Sequence, residues 1–174
     1  MKKILLALVA VFMVSVNAMA GLDIKVTKGD KKFFKTAQGG AIVEFVWDGA
    51  TYDKKEPLGN HFGNLKELMN VAMEGFTDTF NDKCKKVKVV GSKDEAQYKF
   101  TMKIENMDQY YKVMGFIPGN ATKVWGVMTI TDIQTGEELV VIDVNEVDGG
   151  ANPNPTGSFS DCFEELAEQV AKLK

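Results

Sequence analysis

Residues 122–147, TKVWGVMTITDIQTGEELVVIDVNEV, constrain the fold more than any other stretch of the chain. Two runs, 123–132 and 138–146, flank Gln134-Thr135-Gly136, which carries turn chemistry. In the first run Val124, Gly126, Met128 and Ile130 share one face, and Trp125, Val127, Thr129 and Thr131 the other. In the second, Val140, Ile142 and Val144 lie opposite Leu139, Val141, Asp143 and Asn145. A period of two specifies a β-hairpin with one strongly apolar face. The second face keeps Trp125, Val127, Leu139 and Val141, so partial cover is expected there as well.

The rest of the chain supplies elements to pack against that hairpin. Residues 22–34 alternate weakly and suit an edge strand, with lysines on its open side. A strand over 41–47 precedes a Gly-, Asp- and Asn-rich loop at 48–63. Asn64 is placed as an N-cap with Glu67 completing a capping box. The helix that follows, to about residue 85, carries a stripe of Leu65, Leu68, Met69, Ala72, Phe76, Phe80 and Cys84. A short strand is expected at 87–90, and the clearest single strand after the hairpin at 97–106. A connection then runs over 107–121, MDQYYKVMGFIPGNA, and an irregular loop over 148–156. Ser158 or Ser160 is placed to cap a last helix, on which Phe159, Cys162, Phe163, Leu166, Val170 and Leu173 form an apolar stripe. The order β-α-β-β-β-β-α predicts an α+β two-layer sandwich. Its mixed, mainly antiparallel sheet would have five or six strands, with both helices on one face.

Lys2-Lys3, an apolar run over 4–16 and Ala18-Met19-Ala20 read as a secretory signal peptide over 1–20, leaving one domain over 21–174. No Cys stands directly after the cleavage site, where Gly21 lies, and no other run approaches membrane length. The expected location is periplasmic or extracellular, with no membrane span. Net charge is −3, and loss of Lys2 and Lys3 with the leader makes it −5. All 21 basic residues are lysines. The absence of arginine and the acidic balance argue against nucleic-acid partners and most phosphate chemistry.

Catalytic patterns fail when tested. His61 is the only histidine and sits in a Gly/Asn-rich loop. The run Asp143–Gly149 lacks calcium-loop spacing. Glu137-Glu138 and Glu164-Glu165 read as solvated pairs, and no nucleotide, hydrolase or metalloprotease motif occurs. No catalytic residue, metal site or cofactor is expected. Asn120-Ala121-Thr122 matches a glycosylation sequon. The one stretch placed for contact is the 107–121 connection, where Tyr110, Tyr111, Met114, Phe116 and Ile117 gather. They either fold back as a lid near Trp125 and Val127 or bind an envelope protein or glycan partner.

Cys84 and Cys162 survive signal cleavage into a compartment where disulfides persist. If each strand after the first helix reverses the last, the two helices run antiparallel. Both cysteines then come level at one end, and a Cys84–Cys162 bridge is expected; two buried free thiols are the alternative.

A strand feeding a helix, a run like 123–132 leading to Thr135-Gly136-Glu137, and a closing helix like 159–173 resemble a group of exported bacterial proteins. The group comprises the N-terminal domain of the Tol-system translocation protein, curli secretion-type lipoproteins and outer-membrane activators of penicillin-binding proteins. The chain also resembles small secreted proteins of Bacteroidetes-type bacteria. The resemblance implies a non-enzymatic cell-envelope role in contact with other proteins and supplies no site residues. The missing lipobox cysteine departs from the lipoprotein members. The leading expectation is an exported binding or scaffold domain. The other is a small secreted enzyme or ligand-binding protein with a pocket between 48–63 and 107–121.

Overall fold

A computed structural model describes residues 23–114 and 117–173, with backbone alone at Met114 and Ile117. The expected leader at 1–20 lies outside the described residues. The strands are β1 (Ile24–Gly29), β2 (Gly39–Val46), β3 (Thr51–Tyr52), β4 (Glu56–Pro57), β5 (Val87–Val89), β6 (Ala96–Met114), β7 (Ile117–Asp132) and β8 (Glu138–Asp148). The helices are α1 (Phe33–Thr36), α2 (Leu58–His61), α3 (Leu65–Lys83) and α4 (Pro155–Lys172).

One mixed sheet holds all eight strands, in the order β1-β8-β7-β6-β2-β5. After β2 ends, β3 takes up its line along β6 and pairs with β4. The β7–β8 hairpin forms as its alternation requires, with Met128 opposite Ile142 and Ile130 opposite Val140. Val124, Met128, Ile130, Val140, Ile142 and Val144 are all buried in one core cluster. Phe76 and Phe80 of α3 and Phe159, Phe163 and Leu166 of α4 belong to the same cluster. The opposite parity, Trp125, Val127, Thr129, Leu139 and Val141, stays half-buried. Periodicity therefore sorts each side chain correctly, because burial of apolar area drives both the strand and the helix faces inward.

Strand sense departs from expectation. β5 and β6 flank β2 and both run parallel to it: Ala41 pairs with Val89 on one side and with Tyr98 on the other. The return from β5 to β6 passes through a short 3₁₀ turn, Lys93–Glu95, instead of a hairpin. That extra parallel step inverts everything after it, so α4 runs parallel to α3. The packing shows the sense directly. A Cβ on Gly75 would sit 2.9 Å from Ser160 Oγ, while Lys83, two turns further along α3, faces Glu168. Gly75 is what lets the two helices approach so closely.

The disulfide expectation falls with the antiparallel pairing. Cys84 and Cys162 are both free and buried. Cys84 caps the C-terminal end of α3, level with the residues that follow Glu168, whereas Cys162 lies near the start of α4. At 1.5 Å per residue they are offset by about 10 Å along the helix axes, beyond disulfide reach. Cys162 Sγ instead donates to the Val147 carbonyl at 3.3 Å, and burial pushes its thiol far up.

Cap chemistry also differs. Asn154, not Ser158 or Ser160, caps α4 by accepting from the Thr156 N–H at 3.0 Å, and Pro155 takes the first helical position. Asn64 caps α3 without a side-chain bond to the backbone, and its amide donates to Glu67 instead.

Candidate interaction surface on the β6–β7 ribbon

Residues 107–121 are not a connection. Residues 107–114 and 117–121 prolong β6 and β7 as a regular two-stranded ribbon, paired from Met107 opposite Val124 to Met114 opposite Ile117. β8 accompanies β7 only as far as Lys123, so from Gln109 outward the ribbon leaves the main sheet. Its described residues continue outward along the β6 and β7 lines and do not turn back over Trp125 and Val127. Trp125 is met instead by Lys54, whose ammonium lies 5.6 Å from its ring centre.

Pairing fixes which side chains share a face. Tyr110, Lys112 and Ala121 share one; Gln109, Tyr111, Val113, Pro118, Asn120 and Thr122 share the other. On the first face the base is clamped. Tyr110 OH donates to Asp148 Oδ2 at 2.5 Å, and Lys112 Nζ donates to the same oxygen at 2.7 Å. Lys123 lies 4.7 Å from the Tyr110 ring centre and pairs with Glu146. Burial, then the bond to Asp148, pushes the Tyr110 phenol up to about 12. Burial alone would raise Asp148, but the bonds from Lys112, Tyr110 and the Gly150 N–H outweigh it and hold the carboxyl below its usual value.

On the second face the ribbon rests on the start of α4. Gln109 Nε2 donates to Ser158 Oγ at 3.1 Å and to the Pro155 carbonyl at 3.2 Å, and Thr122 and Ser158 hydroxyls meet at 2.9 Å. Asn120 and Asn152 exchange backbone bonds of 2.7 and 2.8 Å. Gly119 permits this, since a Cβ there would lie 2.6 Å from the Asn152 backbone. Above these anchors Tyr111 is 69% exposed and Val113 62%. They are the two most exposed large apolar side chains among the described residues.

Of the five expected contact residues, then, Tyr110 is internal bracing and Tyr111 is presented. Met114 and Ile117 end the ribbon as its last pair, and Phe116 lies outside the described residues. Val113 was missed. Its parity with Tyr111 would have found it had the stretch been read as a strand.

Where a pocket between 48–63 and 107–121 is expected, the described parts of the two segments close on each other. The two segments touch directly: Tyr52 OH donates to the Gln109 carbonyl at 3.1 Å, and the Asp53 N–H to the Met107 carbonyl at 2.9 Å. A hollow of about 340 Å³ nearby is lined by residues between Trp47 and Leu65, with no described residue of 107–121. His61 is a surface residue stacked on Tyr52, ring centres 3.4 Å apart. The sequon threonine, Thr122, is fully buried. Among the described residues no three His, Cys, Asp or Glu side chains converge as a metal site, and no helix is long and apolar enough to cross a membrane.

No protein-family model matches the chain, and no curated protein matches it. Among solved structures it is similar to the PelC dodecamer of Paraburkholderia phytofirmans, at 13% identity and a TM-score of 0.45, over 84% of this chain and 95% of that one. It is also similar to a putative neuraminyllactose-binding hemagglutinin homolog from Helicobacter pylori. There the identity is 10% and the TM-score 0.37, over 84% of this chain and 87% of the other.

Proposed function

We propose that this chain is an exported, non-enzymatic binding module of the bacterial envelope, which engages a protein partner through the outer half of the β6–β7 ribbon. The supporting observation is the opposed fate of two adjacent tyrosines. Tyr110 is locked to Asp148 at the base, and Tyr111, with Val113, is held out in solvent on a braced β-ribbon. An exposed aromatic on a rigid element loses little conformational freedom on binding, which favours it as an anchor. The polar side chains near the base are bonded to one another, which favours a bracing role over proton transfer. Export rests on the leader pattern at 1–20.

The test is site-specific photo-crosslinking in cells that export the protein. A photoreactive residue at Tyr111 or Val113 should give one discrete adduct. The same residue at Ile133, 40% exposed at the other end of β7, should give none. Equal yields from all three positions, or none from the ribbon, would refute the reading.

A further inference from the structure

Leaving β4 and the β6–β7 ribbon aside, the main sheet has three margins among the described residues, and two are protected. The β1 margin carries Lys25 and Lys28 and is broken by a bulge between Val26 and Lys28, devices that discourage strand addition. The β5 margin is capped by α3: Asn81 accepts from the Val89 N–H at 2.7 Å and donates to its carbonyl at 3.0 Å. The third margin is the part of β2 that β5 does not reach.

β5 pairs with β2 only from Gly39 to Ala41. The Val90 N–H donates to the Ala41 carbonyl at 2.8 Å, and the Gly39 N–H to the Lys86 carbonyl at 3.1 Å. Odd-numbered residues of β2 therefore aim their main-chain groups toward β5, and even-numbered ones toward β6. Val43 is next in that series, and beyond Ala41 no described strand pairs on that side. Its N–H and C=O face a groove of about 520 Å³, with Met73 and Thr77 of α3 on one wall and Val89 and Val90 at one end. On the opposite rim Glu44 pairs with Lys99 at 2.5 Å and also feels Lys93, leaving one positive charge in excess.

We propose that this groove is a strand-addition site for an extended peptide of another protein, continuing the line of β5 along β2. Main-chain groups of Val43 supply the ladder. Alternation then dictates the occupant's chemistry: apolar side chains facing Met73 and Thr77, and at least one Asp or Glu facing Lys93. The site is separate from the ribbon and does not depend on it.

Selection of phage-displayed random decapeptides against the folded domain tests this. Enriched sequences should alternate apolar and acidic residues. Val43→Pro should weaken the corresponding synthetic peptides at least ten-fold. The substitution leaves the β2–β6 ladder intact, because the lost N–H points into the groove. Lys93→Glu, a surface change that preserves folding, should turn the preference from acidic to basic residues even if Val43→Pro does not fold. Tyr111→Ser with Val113→Ser should leave peptide affinity unchanged. The proposal is overturned by the absence of an alternating consensus, or by peptides indifferent to both Val43→Pro and Lys93→Glu. A concentration-dependent dimer lost in Val43→Pro would assign the groove to a second copy and overturn it equally.

Discussion

Replacing Phe80 with alanine tests the core from which everything else is positioned. Phe80 is fully buried, with ring centres of Phe34, Phe76 and Phe100 at 5.7, 5.8 and 5.5 Å. Those three neighbours come from α1, α3 and β6, so one element cannot collapse into the space without moving away from the others. Phe→Ala changes in cores cost about 3–5 kcal/mol, and the poorly relaxing sites lie at the upper end. A loss of about 4–5 kcal/mol is therefore expected, about a quarter or more of the ~5–15 kcal/mol that holds a domain together. For a domain of this size that corresponds to a fall of about 10–15 °C in Tm. Urea titration should show it as a lower midpoint at unchanged slope. Glu74→Ala, on the exposed side of the same helix, should stay within about 0.5 kcal/mol. A loss below about 1 kcal/mol for Phe80→Ala would mean that α3 does not face the sheet in this register.

Three further outcomes follow from the described geometry. Tyr111→Ser combined with Val113→Ser should move Tm by no more than about 1–2 °C, since both side chains are largely in solvent; a large drop in a thermal melt would make them structural. Alkylation under denaturing, non-reducing conditions should label two thiols per chain, and native protein should label slowly; fewer than two in unfolded material would restore the bridge. The ribbon clamp should lose its contribution to stability at both pH extremes. Asp148 has a lowered folded pKa, so its contribution is present above the unfolded value of about 3.9 and lost as pH falls through the folded one. Tyr110 has a folded pKa raised to about 12, so its contribution is present below about pH 10 and lost as pH rises toward 12. Asp148→Asn should flatten the acid limb and Tyr110→Phe the alkaline limb of a stability-versus-pH curve. Limbs identical to wild type would show that the clamp is open in solution.

What the sequence discloses here is parity, and what it conceals is direction. Val124, Met128, Val140 and Ile142 announce their face because a buried sheet enforces a period of two, and Phe76, Phe80, Phe163 and Leu166 do so through the helical period. Direction leaves no such trace. Gly91-Ser92 offers turn chemistry that suits a hairpin as well as the return between two parallel strands, and only hydrogen-bond partners distinguish them. One misjudged reversal then turns α4 around and brings Cys162 falsely beside Cys84. The ribbon was hidden for a different reason. Past Gln109 neither of its faces is buried against the core, so no apolar-polar alternation is imposed, and Pro118 and Gly119 look like loop residues. Its register is set instead by cross-strand bonds and by anchors far along the chain, Asp148, Asn152 and Ser158. Adjacent identical residues show the consequence. Tyr110 and Tyr111 are chemically indistinguishable in the sequence, yet strand parity sends one to a carboxylate and the other to solvent. A contact site of this kind becomes visible only after the strand is recognised, because its specificity lies in which neighbour of a pair points outward.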